Sequence, residues 1–206
     1  MQRRDFMVKT LAGAALAAAS PAITFAMGKS PDKIRLGFIG IGARGTGQLA
    51  LTLKRKDIVV TAVCDIDKER VANASQMVQD AGMPKPTSYD NGPHDYQKLL
   101  ASNEVDAVII STPWVWHTPM AIDAMEAKKA VGLEVAGAFD IQECWALVDA
   151  YEKTGTPFMI LENVAYRRDI MAVLNMVRQN LFGEIIHMQG GYQHDLRAVK
   201  FNNGKQ

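Results

Sequence analysis

A run of three glycines, Gly40, Gly42 and Gly45, constrains the fold more than any other feature of this chain. The apolar stretch Ile34–Ile39 precedes the glycines and has the length of one buried strand. A helix-compatible stretch follows them, and Asp65 comes directly after the next apolar run. This spacing, between a strand and a helix and with an acidic residue after the second strand, predicts a turn that binds the phosphates of a dinucleotide.

Each residue of this motif has a physical role in such a site. We expect Gly40 to permit the tight turn, Gly42 to let a pyrophosphate approach the backbone, and Gly45 to let the helix pack closely on the strand. The first helical amides would donate to the phosphates. Asp65 can accept hydrogen bonds from the adenosine ribose and would repel a 2′-phosphate, which favours NAD over NADP, although Arg44 argues weakly for NADP. The alternative is an ordinary turn followed by a solvated aspartate.

Strand-like and helical segments alternate between residues 33 and 162. Strands are predicted at Ile34–Ile39, Ile58–Cys64, 105–110, Ala130–Leu133 and 157–161, and helices at 46–54, 68–81, 118–128 and 141–153. Three prolines in the segment 83–93 predict a loop with little regular structure. Strands joined by helical crossovers predict an α/β fold of the Rossmann type, a doubly wound parallel sheet with both faces covered.

The pattern changes after residue 162, and we expect a second domain over residues 163–206. Segment 168–181 is amphipathic, and segment 184–192 has the composition of a new strand. Both indicate the start of an α+β domain that is incomplete, because the chain stops in a loop-like run. The chain is therefore expected to be a fragment, or a truncated gene product, of a longer protein.

The first 27 residues have the layout of an export signal. Arg3 and Arg4 precede an alanine-rich apolar segment at 11–19, and Pro21 and a cleavage site at 24–26 follow it. The paired arginines indicate the twin-arginine export machinery and a periplasmic or otherwise exported protein. The alternative is an ordinary amphipathic first helix. Because this route carries folded proteins, we expect the nucleotide to be held tightly and regenerated within each turnover.

Composition argues against several other partners. There are 23 basic and 22 acidic side chains, so the net charge is +1 and neither nucleic acid nor an anionic membrane surface is indicated. No apolar run approaches the roughly 20 residues of a membrane-spanning helix. Cys64 and Cys144 are expected to pack as small hydrophobic residues, with a disulfide left open. No Cys/His cluster has metal-ligand spacing, so no metal is expected, and homo-oligomer formation is left open.

Further candidate residues follow the later strands, at the edge where doubly wound sheets bind ligands. Trp114 and Trp116 could flank an aromatic face of the cofactor, and His117 could hydrogen-bond it. Alternatively, the tryptophans fill a seam between domains and the histidine is structural. Glu134 could bind ribose or substrate hydroxyls, or it could be solvated at a strand end. Asn163 carries the donor and the acceptor that a carboxamide needs.

Several long stretches resemble the Gfo/Idh/MocA oxidoreductases and, within them, glycoside hydrolase family 109. These stretches are TPWVWHTPMAIDAM, GLEVAGAFDIQECW, ILENVAYRRDIMAVLNMVRQNLFGE and GGYQHDLRAVKFN. With the glycine motif they span residues 33–203. The resemblance implies NAD as the cofactor and a glycoside as the substrate. Beside the glycines, the implied cofactor contacts are Ala43, Arg44, Asp65, Trp114, Val115, Trp116, His117, Glu134, Val135 and Asn163, and the implied substrate contact is Tyr192.

The resemblance also implies a reaction like that of the NAD-dependent α-N-acetylgalactosaminidases. In that reaction the sugar is oxidised at C3, the C2 proton and the aglycone leave, water adds and the hydride returns, so no net redox change occurs. Ordinary dehydrogenases of the superfamily carry Glu-Lys-Pro where this chain has Glu134, Val135 and Ala136. Valine cannot move a proton, and this difference favours the hydrolase branch.

The acid/base residues of the reaction remain unassigned. The family's Tyr-x-x-His motif would lie beyond Gln206, so this chain by itself is expected to be inactive. Two other functions stay open: a periplasmic NAD-dependent sugar dehydrogenase, and a non-catalytic truncated product.

Overall fold

One parallel sheet of six strands organises the protein. The computed structural model describes residues 33–191 together with residues 193, 195 and 197, so the predicted export signal and Tyr192 lie outside the described residues. The strands are β1 (Ile34–Ile39), β2 (Ile58–Cys64), β3 (Thr87–Tyr89), β4 (Ala107–Ile110), β5 (Ala130–Leu133) and β6 (Phe158–Ile160). Their order in the sheet is β3-β2-β1-β4-β5-β6. This order confirms the Rossmann-type, doubly wound fold and places the reversal of strand order between β1 and β4.

Helices cover both faces of this sheet. They are α1 (Ala43–Thr52), α2 (Lys68–Asp80), α3 (Tyr96–Ala101), α4 (His117–Glu126) and α5 (Ile141–Thr154). A further helix, α6 (Arg168–Arg178), follows β6 and has no buried residue. Neighbouring strand residues point to opposite faces, so Phe38 belongs to one buried apolar cluster and Ile39 to the other. The Asp67 side chain accepts hydrogen bonds from the backbone amides of Glu69 and Arg70 and so caps the N-terminus of α2.

The segment 83–93 is more regular than the sequence predicts. Residues Thr87–Tyr89 form the edge strand β3, which pairs with β2 in the register Ala62↔Thr87. A strand of three residues between prolines has too few positions for a hydrophobic period, and its pairing with β2 is a tertiary interaction. The helix α3 that follows was also not predicted.

Several predicted element boundaries differ from the observed ones by a few residues. Helix α1 begins at Ala43, directly after the glycine turn, instead of at residue 46. Helix α4 begins at His117, one residue before the predicted Thr118, because a 3₁₀ turn over Trp114–Trp116 leads into it. Strand β4 begins at Ala107 instead of residue 105. These shifts leave the order of the elements unchanged.

Beyond β6 the structure confirms a helix and contradicts a strand. Helix α6 presents the apolar side chains Ile170, Val173, Leu174 and Val177, which are all exposed. Residues 184–191 are not a strand, because no other described strand lies beside them to form a ladder. In the described part of the chain, no helix combines the length and apolar character needed to cross a membrane.

The two cysteines are both free, and they differ in environment. Cys64 is buried at the end of β2, as predicted. Cys144 is exposed on α5, so the prediction that it packs as a small hydrophobic residue is wrong. The helical period around Cys144 identifies a helix but does not distinguish its buried face from its edge.

Candidate functional site

The backbone of the glycine turn between β1 and α1 is packed so tightly that Gly40 and Gly45 leave no room for a side chain. Gly40 has a φ of +90°, and a Cβ atom there would lie 2.7 Å from the backbone of Ser111. A Cβ atom at Gly45 would lie 2.0 Å from the carbonyl oxygen of Gly40. The structure therefore gives Gly40 and Gly45 the roles in turn formation and helix packing that the motif predicts.

The N-terminus of α1 faces outward from this turn. Gly42 occupies the N-cap position, and no side chain in the described part of the chain caps the helix there. The first turn, which contains Ala43 and Arg44, also has no acidic residue. Helix N-termini carry a partial positive charge and amide donors, so this end of α1 is suited to an anionic group.

Asp65 lies beside the same turn and is held from two sides. Its Oδ2 atom accepts a hydrogen bond of 2.6 Å from the backbone amide of Ile41. Its Oδ1 atom accepts one of 2.9 Å from the amide of Asp67. Each carboxylate oxygen has a second lone pair, so Asp65 can still accept from a hydroxyl group of a ligand.

A pocket of about 560 Å³ opens at the carboxyl ends of β1, β2 and β4. Predicted residues that line it are Gly40, Gly42, Ala43, Arg44, Asp65 and Trp116. Lining residues that were not predicted include Ile66, Arg70, Pro93, Thr112 and Met120. Arg70 forms an ion pair of 3.4 Å with Asp67, and its Nη1 atom lies 3.3 Å from where a Cβ atom of Gly42 would be. The Asp67–Arg70 spacing of one helical turn was the available sequence signal for Arg70.

Three of the predicted residues from distant parts of the sequence meet beside the pocket. The Arg44 guanidinium donates to both carboxylate oxygens of Glu134, at 2.9 Å and 3.1 Å. It also donates to the side-chain oxygen of Asn163 at 3.4 Å. Glu134 is only 5% exposed, so it is a buried, paired carboxylate and not a solvated strand end. Gln48 and Ser111 join this group by hydrogen bonds, and neither was singled out from the sequence.

The imidazole of His117 connects two loops instead of facing the pocket. It is 1% exposed. Its Nδ1 atom lies 2.7 Å from the carbonyl oxygen of Ala136, and its Nε2 atom lies 2.8 Å from that of Thr112. Both ring nitrogens are therefore engaged by backbone oxygens, which leaves neither to bond a cofactor ring and agrees with the structural alternative.

Of the remaining predicted aromatic and apolar contacts, Trp116 lines the pocket, whereas Trp114, Val115 and Val135 do not. Trp114 and Val115 are exposed, and the Trp114 ring meets Phe139 edge to face at 6.1 Å. Trp116 is partly buried and its ring packs against His94 at 5.5 Å. Val135 is partly buried next to Glu134. Among the described residues, no group of three or more His, Cys, Asp or Glu side chains converges as metal ligands would.

Together these features fit a bound dinucleotide. The turn admits no side chains at Gly40 and Gly45, the α1 N-terminus is open to a phosphate, and a carboxylate stands at the end of β2. The pocket joins these three features at the point where the strand order reverses. On these residues, the diphosphate would lie against α1 and the adenosine ribose beside Asp65.

Comparison with known proteins agrees with this arrangement. Residues 34–161 match the family model described as an oxidoreductase family with an NAD-binding Rossmann fold. Residues 166–206 match the model of the glycosyl hydrolase 109 C-terminal domain. The chain is 47% identical over 206 residues to a glycosyl hydrolase family 109 protein of Stenotrophomonas maltophilia, a match covering 99% of this chain and 45% of that protein. It is 47% identical over 178 residues to an alpha-N-acetylgalactosaminidase of Tannerella forsythia, covering 86% of this chain and 38% of that protein.

Solved structures show the same fold. An NAD-binding protein from Listeria innocua superposes with a TM-score of 0.62 and 28% identity, covering 74% of this chain and 42% of that chain. The WlbA dehydrogenase from Chromobacterium violaceum, in complex with NADH and UDP-GlcNAcA, superposes with a TM-score of 0.65 and 22% identity over 74% of this chain and 42% of its own. The chain thus spans less than half the length of the curated relatives named above.

Proposed function

Since this chain belongs to the oxidoreductase family with an NAD-binding Rossmann fold, and within it to the glycosyl hydrolase 109 proteins, we propose that it is the cofactor-binding part of an NAD-dependent glycosidase. The observation that carries the proposal is the pair Glu134–Val135. The carboxylate is buried and held by Arg44. The next residue, where a superfamily dehydrogenase would carry its proton-transferring lysine, is an aliphatic side chain.

The cofactor is NAD, and different residues of the site are proposed to contact different parts of it. When bound, NAD supplies a group that takes a hydride from a sugar carbon and returns it. The glycine turn and the amides of α1 would hold the diphosphate, and Asp65 would accept from the adenosine ribose hydroxyls. Glu134 and Asn163 stand at the far end of the Arg44 guanidinium, where hydroxyl and carboxamide groups would find an acceptor and a donor.

The proposed substrate class is an α-N-acetylgalactosaminide, which the name of the Tannerella forsythia relative supports. Residues 163–206 would begin the domain that binds this sugar, and the match of 166–206 to the glycosyl hydrolase 109 C-terminal domain supports that assignment. Tyr192 is proposed to contact the sugar. Replacing Tyr192 with Phe should raise KM for the glycoside while NAD affinity stays unchanged.

The test is hydrolysis of an aryl α-N-acetylgalactosaminide by the product of the complete reading frame, with no NAD added. We expect steady release of the aryl alcohol without accumulation of NADH. The same protein freed of nucleotide should release none until NAD is added back. NADH accumulating in proportion to a consumed free sugar would instead identify a sugar dehydrogenase. The absence of both activities would contradict the proposed function.

We further propose that residues 1–27 direct export through the twin-arginine route. Arg3, Arg4 and the alanine-rich segment after them support this proposal. Residues 1–32 fused to a fluorescent protein should carry it to the periplasm of a host with this machinery. The double variant Arg3→Lys, Arg4→Lys is the matched control and should leave the fluorescence in the cytoplasm. Equal periplasmic fluorescence from both fusions would refute a twin-arginine signal.

A further inference from the structure

Gln48 lies on α1, one helical turn after Arg44. Its side chain lies between the residues that follow strands β4 and β5. Its amide nitrogen donates to Oε2 of Glu134, which follows β5. Its amide oxygen accepts from the hydroxyl of Ser111, which follows β4. The Gln48 side chain therefore links three elements, α1, β4 and β5, at the edge of the sheet where the pocket opens.

The chemistry of the two neighbours determines the orientation of the Gln48 amide. An ionised Glu134 can only accept hydrogen bonds, so the NH₂ group must face it. The carbonyl oxygen then faces Ser111, whose hydroxyl must donate. No other orientation satisfies both contacts. A residue at position 48 must therefore donate on one side and accept on the other.

Glu134 needs this support because it is a buried carboxylate. It is 5% exposed, and a buried charge is costly unless donors surround it. Its donors are the Arg44 guanidinium, which bonds both oxygens, and the Gln48 amide, which bonds Oε2. Arg44 in turn lines the pocket. The orientation of Glu134 thus determines where the Arg44 guanidinium stands at the pocket.

We propose that Gln48 is a positioning residue of the cofactor site, which links Ser111 to the Glu134 carboxylate, fixes that carboxylate against Arg44 and thereby holds Arg44 at the pocket. This inference rests on the pocket being the NAD site. Gln48 itself is not among the residues that line the pocket, so its effect on NAD passes through Glu134 and Arg44.

The variant Gln48→Glu distinguishes a positioning role for Gln48 from a role that only fills space. When protonated, the new carboxyl donates to Glu134 and accepts from Ser111, as the amide does. When ionised, it places a second negative charge against Glu134 and so disturbs the contact between Glu134 and Arg44. The charged groups that act on position 48 through hydrogen bonds are Glu134, to which Gln48 donates, and Arg44, which donates to Glu134. The variant should therefore bind NAD in a pH-dependent manner.

NAD affinity is measured by calorimetry on the full 206-residue chain, freed of nucleotide, at about pH 5 and about pH 8. We expect Gln48→Glu to match the unmodified chain at the lower pH and to bind at least about tenfold more weakly than it at the higher pH. Gln48→Leu, which keeps the bulk but neither hydrogen bond, should bind weakly at both. Circular dichroism establishes that each variant is folded.

Gln76→Glu is the matched control. Gln76 donates to the Asp80 carboxylate at 2.7 Å on the exposed surface of α2, so this change also sets two carboxylates side by side, but away from the pocket. It should show the same NAD affinity as the unmodified chain at both pH values. Equal affinity of Gln48→Glu at both pH values, or weak binding at both, would overturn the positioning role while leaving the NAD site intact. Failure of the unmodified chain to bind NAD would instead overturn the cofactor site, and this inference with it.

Discussion

The carboxylate of Asp65 accepts a 2.6 Å hydrogen bond from the backbone amide of Ile41, inside the glycine turn. The acidic residue expected to bind the adenosine ribose is therefore also a support of the turn that would hold the diphosphate. Its second oxygen accepts from the amide of Asp67, at the start of α2. One side chain thus connects both loops on this side of the pocket, and removing it should affect folding and cofactor binding together.

Replacing Asp65 with Ala should weaken NAD binding by about 1.5–3 kcal/mol, the cost of losing hydrogen bonds to a charged group. The same change should lower the melting temperature, because the Ile41 amide loses its acceptor. Asp65→Asn, which keeps one acceptor oxygen, should retain more stability than Asp65→Ala. Calorimetry with NAD and thermal unfolding give the two quantities. The control is Asp80→Ala, at the opposite end of α2. An unchanged dissociation constant in Asp65→Ala would remove Asp65 from the site.

Replacing His117 with Phe should lower the free energy of unfolding by about 1–3 kcal/mol, because the imidazole hydrogen bond to a partly buried backbone carbonyl is lost. Phenylalanine approximates the ring's shape but donates no hydrogen bond to Thr112 or Ala136. Urea unfolding of the two proteins measures the difference. His187→Phe, at an exposed position, should be nearly neutral. An equally small loss in both variants would show that the two loops do not depend on the His117 bridge.

The two thiols should differ sharply in reactivity. Burial raises the pKa of the Cys64 thiol to about 12, whereas Cys144 is exposed. Because the thiolate is the reactive form, an aromatic disulfide reagent at about pH 8 should modify one thiol rapidly and the second only after denaturation. Cys144→Ser should abolish the rapid phase. Two rapid equivalents in the native protein would show that Cys64 is not sheltered.

The ion pair between Arg35 and Asp106 should make stability fall in acid. The Arg35 side chain hydrogen-bonds both Asp106 oxygens, at 3.1 Å and 2.6 Å, and this keeps the pKa of the Asp106 carboxyl below its usual range. A carboxyl with a lower pKa in the folded state stabilises the protein above its unfolded pKa of about 3.9, and that stabilisation is lost as the pH falls below this value.

The variant Asp106→Asn tests this dependence. It should be about 1 kcal/mol less stable near neutral pH, since the pair is partly exposed, and its stability should fall less steeply between about pH 5 and 3. Urea unfolding at a series of pH values measures both effects. Asp149→Asn, at an exposed position of α5, is the control and should keep the acid dependence of the unmodified protein. Parallel curves for the Asp106 variant and the unmodified chain would exclude a contribution from the pair.

The parts of the fold that sequence patterns predicted are those with a strong local signal. Five of the six strands were expected, because each is a mainly apolar run with turn residues at its ends. The sixth, β3, has only three residues and exists as a strand through its pairing with β2. The strand predicted at 184–192 is absent over its described residues. An apolar segment forms a strand only where a neighbouring strand is present to pair with it.

The same division holds within the site. Gly40, Gly45 and Asp65 could be assigned from spacing because their roles are local: a positive φ, a close backbone approach and a strand end. Gln48 could not be assigned, because a glutamine in a helix is ordinary until the fold brings Glu134 and Ser111 to it.

By itself, then, the sequence determined the alternation of strands and helices, the glycine turn and the family to which they belong. These depend on backbone conformation and hydrophobic period, which are determined by residues close together in the sequence. Only the tertiary structure decided that Glu134 is buried against Arg44, that His117 spans two backbone carbonyls and that Cys144 faces outward. Those facts depend on which distant residues parallel crossovers bring to one edge of the sheet, and no local pattern carries that information.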